Sequence, residues 1–275
     1  MRQKIVVIPD PSLQHTAMQR WKAICAYDGS DFEGWQRQPH GATVQNHIEA
    51  ALSQITNRPT RIQGSGRTDA GVHAHGQVFH FDADWAHSPE KLIRALHSIL
   101  GQQIKIRSLR PIKTTFHARF SVISKCYHYR YYLGRVKPTE AAYLWACREG
   151  PIDLAAMNFA AQAMLGEHDF TALSASHGKD VDPNPRKTLY QLQVRQKGPY
   201  LKLQVEGSGF LYKMVRSLAG ALYAVGRRRL SPEELIDILH SRQRTQKIVT
   251  APAHGLYLER VNYSNPKKIK PPMQS

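Results

Sequence analysis

From Lys125 to Leu133 the chain alternates residue by residue. Tyr127, Tyr129 and Tyr131 fall on one side; Cys126, His128 and Arg130 fall on the other. Period-two alternation specifies a strand whose two faces meet different surroundings, so something must cover the tyrosines. The same period recurs from Tyr200 to Glu206, where Leu201, Leu203 and Val205 alternate with Lys202, Gln204 and Glu206. That is a half-buried strand with one wet face. Trp21 to Tyr27, Gln77 to Phe81, Ile104 to Leu109, Thr188 to Arg195 and Gly255 to Val261 read as further strands, and Lys197-Gly198-Pro199 as a turn between two of them.

Helical spacing fills the gaps. Val44, Ile48, Leu52 and Ile55 recur behind Thr43, whose hydroxyl can cap the helix. Pro89 to Leu100 has Ser88 as cap and Pro89 in its first turn. Ile152 to Leu165 and Pro232 to His240 read as helices, and Leu211 to Val225 as one with a stripe of Met214, Leu218, Leu222 and Val225. The sum is an α+β fold: two similar α/β halves with mixed, largely antiparallel sheets flanked by helices. Turn residues between Lys137-Pro138 and Gly150-Pro151 put a boundary there. The expected division is an N-terminal extension 1–20, a first half 21–137, a second half 151–263 and a basic tail 264–275 with Lys267, Lys268 and Lys270.

Charge narrows the class of partner. Lys and Arg number 38 against 21 Asp and Glu, a formal charge of +17. Arg186 to Arg229 holds ten basic residues and one acid, Glu206. A surplus of that size favours polyanions. A membrane surface would call for a basic amphipathic helix with bulky apolar anchors, and none is visible, so nucleic acid is the expected partner. No apolar run reaches the roughly eighteen residues of a membrane-spanning helix. The short run Ile5 to Ile8 is broken by Pro9, Asp10 and Pro11, which argues against an export signal. Cys25, Cys126 and Cys147 are scattered, as expected of reduced thiols in the cytoplasm.

Chemistry concentrates in Gly64-Ser65-Gly66-Arg67-Thr68-Asp69-Ala70-Gly71-Val72-His73-Ala74. Glycines permit unusual backbone angles and close approach of a ligand. A carboxylate among them can act as nucleophile or base, and an arginine two residues earlier can hold it ionised or hold a phosphate. The spacing matches neither G-x-x-x-x-G-K-[ST] nor G-x-G-x-x-G. His73, His75 and His80 lack a partner cysteine or carboxylate at metal-ligand spacing, so no metal is expected. The H-x-E and P-C-x-x-C pair of zinc deaminases is absent. From these residues alone a structural turn, with Asp69 bonding local amides, stays open beside a catalytic carboxylate.

The string closely resembles the signature of the TruA family of tRNA pseudouridine synthases. Other segments agree in order: Tyr27-Asp28-Gly29 with Gly34-Trp35-Gln36-Arg37-Gln38, Phe116-His117-Ala118-Arg119-Phe120-Ser121 before Tyr127-His128-Tyr129, Gly166-Glu167-His168-Asp169-Phe170, Phe210-Leu211-Tyr212-Lys213-Met214-Val215-Arg216, and Ala251-Pro252-Ala253 with Gly255-Leu256-Tyr257-Leu258. Leu173 departs from the family's frequent aromatic, and Asp180 to Asn184 matches poorly. The resemblance implies a pseudouridine synthase fold with a cleft between the halves. It implies isomerisation of uridine in the anticodon stem-loop (nucleotides 38–40) of tRNA, without cofactor or metal, by a homodimer. It makes Asp69 the catalytic group, Tyr127 the ring beside the target uracil, and Arg216 an arginine facing the cleft. Arg67 is expected to pair with Asp69 or to fill the space of the extruded base.

Overall fold

The computed structural model describes residues 18–39, 41–175 and 183–264. Most of the N-terminal extension, the basic tail beyond Ser264 and Asp180 to Asp182 of the poorly matched loop lie outside the described residues.

Ten strands form one sheet. They are β1 (Gln19–Tyr27), β2 (Gln63–Gly64), β3 (His73–Ala83), β4 (Ile104–Pro111), β5 (Ser124–Leu133), β6 (Trp145–Cys147), β7 (Gly166–Asp169), β8 (Arg186–Lys197), β9 (Tyr200–Gly207) and β10 (Leu256–Asn262). The order is β4-β1-β3-β10-β5-β9-β8-β7, with β2 paired to β3 and β6 to β5. The two halves therefore share a single mixed sheet. β10 is the join: it runs parallel to β3 and antiparallel to β5. The stretch expected as a boundary is itself tied in, because β6 pairs in parallel with β5.

One row of partners crosses the sheet: Tyr27, Ala74, Leu258, Tyr127, Val205 and Leu192. All six are buried, which identifies the covered face. Helices α1 (Val44–Thr56) and α2 (Pro89–Leu100) lie over the β1 side; α3 (Leu154–Ala163), α4 (Met214–Gly226) and α5 (Pro232–Ser241) lie over β5, β9 and β8. Tyr131 reaches up from the sheet and donates its hydroxyl to Ala219 O in α4 at 3.1 Å. The uncovered face carries the other parity, including Arg130, Lys202 and Arg195 as direct neighbours on β5, β9 and β8.

The caps are built as the sequence indicates. Thr43 Oγ1 accepts from Asn46 N and Ser88 Oγ from Lys91 N. Ser231 and Glu234 form a reciprocal capping box on α5. Helix α4 is buried nearly all round rather than along one stripe. Gly220 explains how it fits: a Cβ there would sit 1.9 Å from Val249 O, so the helix rests directly on the 249–251 backbone.

Candidate active site

The motif runs from the end of β2 through a loop, residues 65–72, into the start of β3, and three other segments hold it. Trp35 N donates to Thr68 O at 3.1 Å, and the Tyr27 hydroxyl bonds Thr68 Oγ1 at 2.8 Å. Gln77 accepts from Ser65 Oγ at 2.6 Å and donates from Nε2 to Gly66 O at 2.9 Å. Gly64 lies against the Trp35 indole so closely that a Cβ would fall 2.4 Å from Nε1. Val72 N closes a turn onto Asp69 O at 3.2 Å, and Gly71 supplies the positive φ (+75°) such a turn needs at its third position. The glycines and the hydroxyls of the motif thus fix the place of Asp69.

Asp69 faces the first turn of α4. Arg216 Nη1 donates to its Oδ2 at 2.8 Å, and the two side chains are only 14% and 25% exposed. Arg216 is itself clamped: its Nε donates to Ala251 O at 2.7 Å while Ala251 N donates to Arg216 O at 3.0 Å. One guanidinium edge is spent on backbone, so the other is aimed at Asp69 before any substrate arrives. Such preorganised, charge-assisted contacts are the strong ones. Of the two roles expected for Arg67, pairing with Asp69 is not what the structure has: the carboxylate is taken by Arg216, and Arg67 stands exposed on the same cleft.

Tyr127 lies beneath, in the middle of β5. Its ring meets Phe210 edge-on at 5.2 Å. Burial, with the negative charge of Asp69 nearby, pushes its phenol well above the ordinary value, so it is protonated throughout any working range. Together these groups line a cleft of about 950 Å³ between the two helix groups; Arg67, Asp69, Tyr127, Lys213 and Arg216 are all on its wall.

The cleft holds two cations that motif reading did not single out, Arg119 and Lys125. Burial, and then the charge of Arg119, lower the Lys125 ammonium to about 8. The sequence carried a signal for it. Lys125 shares the parity of Tyr127, Tyr129 and Tyr131, so it is a cation on the covered face, at the point where the cover gives way to the cleft.

The histidines of the motif support backbone. His73 accepts from Gly29 N at Nδ1 and faces Ala142 O with Nε2, and burial lowers its pKa, in keeping with that neutral tautomer. His80 Nδ1 accepts from Ala118 N at 3.1 Å, and burial followed by Arg20 lowers it to about 4. His75 sits on Glu259.

Comparison with known proteins gives the family. Residues 23–121 and 160–264 match the family described as tRNA pseudouridine synthase; Arg67, Asp69, Arg119, Lys213 and Arg216 of the cleft lie within the matched segments, and Lys125 and Tyr127 lie between them. The chain belongs to the tRNA pseudouridine synthase family. Relatives named tRNA pseudouridine synthase A include one from Exiguobacterium sibiricum, 36% identical over 91% of this chain and 99% of its own length. One from Maridesulfovibrio salexigens is 41% identical over 90% of this chain and 91% of its own. One from Bordetella parapertussis is 40% identical over the same shares. Within this pseudouridine synthase, Asp69 and Arg216 lie one in each of the two matched segments.

Proposed function

We propose that this chain isomerises uridine to pseudouridine in the anticodon stem-loop of tRNA, with Asp69 as the reacting carboxylate. One observation carries the reading: a partly buried carboxylate, bound to a clamped arginine, stands above a buried tyrosine in a basic cleft.

The reaction breaks the bond from uracil N1 to ribose C1′, turns the base, and joins C5 to C1′. The hydrogen leaves C5 as a proton and N1 gains one, so nothing is consumed. Asp69 can serve by attacking C1′, by adding to uracil C6, or by removing the 2′ proton; each route needs the ionised form. Arg216 holds the carboxylate in position by its contact at 2.8 Å. Tyr127 supplies a ring against the base and a hydroxyl that burial keeps protonated, able to donate a hydrogen bond. Arg67, exposed on the cleft wall, is free to enter the stem-loop where the base leaves it.

The test is direct. tRNA carrying tritium at C5 of its uridines should release label to water when the wild-type chain is added, and pseudouridine should map to the anticodon stem-loop. No release, or modification confined to another arm, would overturn the assignment. Assembly as a homodimer, which the family resemblance implies, and residence in the cytoplasm, which the three scattered cysteines suggest, belong to the same reading; a light-scattering mass of one chain would remove the dimer.

A further inference from the structure

Beside the cleft, residues 116–121 form a loop that is pinned from several directions. Ala118 N donates to His80 Nδ1 at 3.1 Å, and the Tyr263 hydroxyl donates to Ala118 O at 2.7 Å. Ser121 Oγ accepts from His117 N, and Ser121 N donates to His117 O at 2.9 Å. His117 Nδ1 accepts from the amides of both Arg119 and Phe120, at 3.1 and 3.3 Å. That double acceptance requires an unprotonated ring nitrogen, and burial with Arg20 and Arg119 lowers the His117 pKa accordingly.

This fixed loop presents Phe120, which is 78% exposed, the most of any large hydrophobic residue among those described. One ring face stacks on His117, with centroids 4.3 Å apart and planes 29° from parallel. The neighbouring Arg119 sits 5.9 Å from the Phe120 ring and lines the cleft with Lys125. A single exposed phenylalanine is ordinary. One held rigid on an imidazole, beside a cation at the lip of an RNA cleft, has the parts of a base-binding platform: a π-face for a nucleobase and a charge for its phosphate.

We propose that Phe120 stacks an unpaired nucleobase of the RNA loop next to the target uridine, with Arg119 on the adjoining phosphate. The inference rests on the reading of the chain as a synthase acting on a stem-loop. It adds a second holding point, so that the uridine entering the cleft is selected partly by the base outside it.

The test is a cycle between protein and RNA. Binding of an anticodon stem-loop is measured for wild type, Phe120→Ala and Phe120→Trp, with intact RNA and with RNAs carrying one abasic nucleotide at each loop position in turn. Phe120→Ala should bind intact RNA roughly 5- to 150-fold more weakly, the equivalent of about 1–3 kcal/mol for one stacked base. Phe120→Trp should bind at least as well as wild type. At one abasic position Phe120→Ala should cost nothing further, since the partner base is already gone. Thermal midpoints should match wild type, because the side chain is exposed. Equal binding by wild type and Phe120→Ala, or an equal loss at every abasic position, overturns the proposal. So does a change in light-scattering mass with Phe120→Ala, which would make the residue a contact between chains. Wild-type tritium release, run alongside, separates failure of this platform from failure of the assigned reaction.

Discussion

Replacing Asp69 by Asn separates the contributions of its shape and its charge. The amide keeps an oxygen for Arg216 Nη1, so the 2.8 Å contact survives as a neutral acceptor. The donor stays charged while the acceptor becomes neutral; hydrogen bonds to charged groups span about 1.5–3 kcal/mol, and a fall from the upper to the lower end of that range costs the fold about 1 kcal/mol. In a chain of 275 residues that lowers the thermal midpoint by roughly 2–4 °C. Affinity for tRNA should hold or rise slightly, because phosphate contacts carry most of it and a negative charge has left a basic cleft. Turnover should fall by more than about 10³-fold, at least ~4 kcal/mol of barrier, since neither a nucleophile nor a base remains. Asp69→Glu keeps the charge but moves it by one methylene, and a displacement of that size costs about 10²-fold. The assay is tritium release from C5-labelled tRNA under single-turnover conditions, beside a filter-binding curve. Release by Asp69→Asn within tenfold of wild type would refute the role given to Asp69, and collapse of its fold would refute the ledger above.

Tyr127→Phe should lower turnover by about 10²-fold with little change in tRNA affinity, because the phenol is a donor while the ring contact with Phe210 persists; wild-type turnover would leave the ring a packing role alone. With a charge of +17, tRNA binding should weaken by roughly 10³-fold or more between 50 and 200 mM salt, as for proteins that neutralise about six or more phosphates; a flat titration contradicts it. Lys125, at about 8, is charged below that pH in the free protein and neutral above it. Affinity for tRNA should therefore fall as pH rises through about 8, and Lys125→Met should abolish that step. Stability changes in the opposite sense: the unfolded chain binds the extra proton between about 8 and its own lysine value, so Lys125 makes the fold more stable as pH rises across that window. Identical pH profiles for wild type and Lys125→Met, in binding and in melting, would refute both statements.

Local rules were legible in the sequence. Thr43, Ser88 and Pro89 mark helix starts because capping involves neighbours along the chain. The long strands declare themselves by alternation. The short ones, β2, β6 and β7, hold two to four residues and offer no period to read. The single sheet was not legible, because it depends on β10 finding β3 and β5 far upstream. The site divides the same way. Asp69 stood out through its own motif, but its partner is 147 residues away, and Arg67, two residues away, faces solvent. Nearness along the chain pointed to Arg67 as the partner of Asp69, and the arginine bonded to it is Arg216. Tyr127 came through the family resemblance. Lys125 was visible as a cation in the tyrosine row, a conflict between residue type and covered face that the open cleft resolves.

The seat of β10 bears on how the chain is made. A strand late in the described chain fills the slot between two strands completed long before it, so neither β3 nor β5 has its full set of neighbours until β10 has been made. The segment just ahead of β10 carries Ala251, which clamps Arg216. A nascent chain therefore has Asp69 early and the aim of its arginine last. Ribosome-bound chains stalled before Leu256 should expose two unpaired edges, to which chaperones and like strands are drawn. They should also release no tritium from tRNA until the last strand clears the exit tunnel.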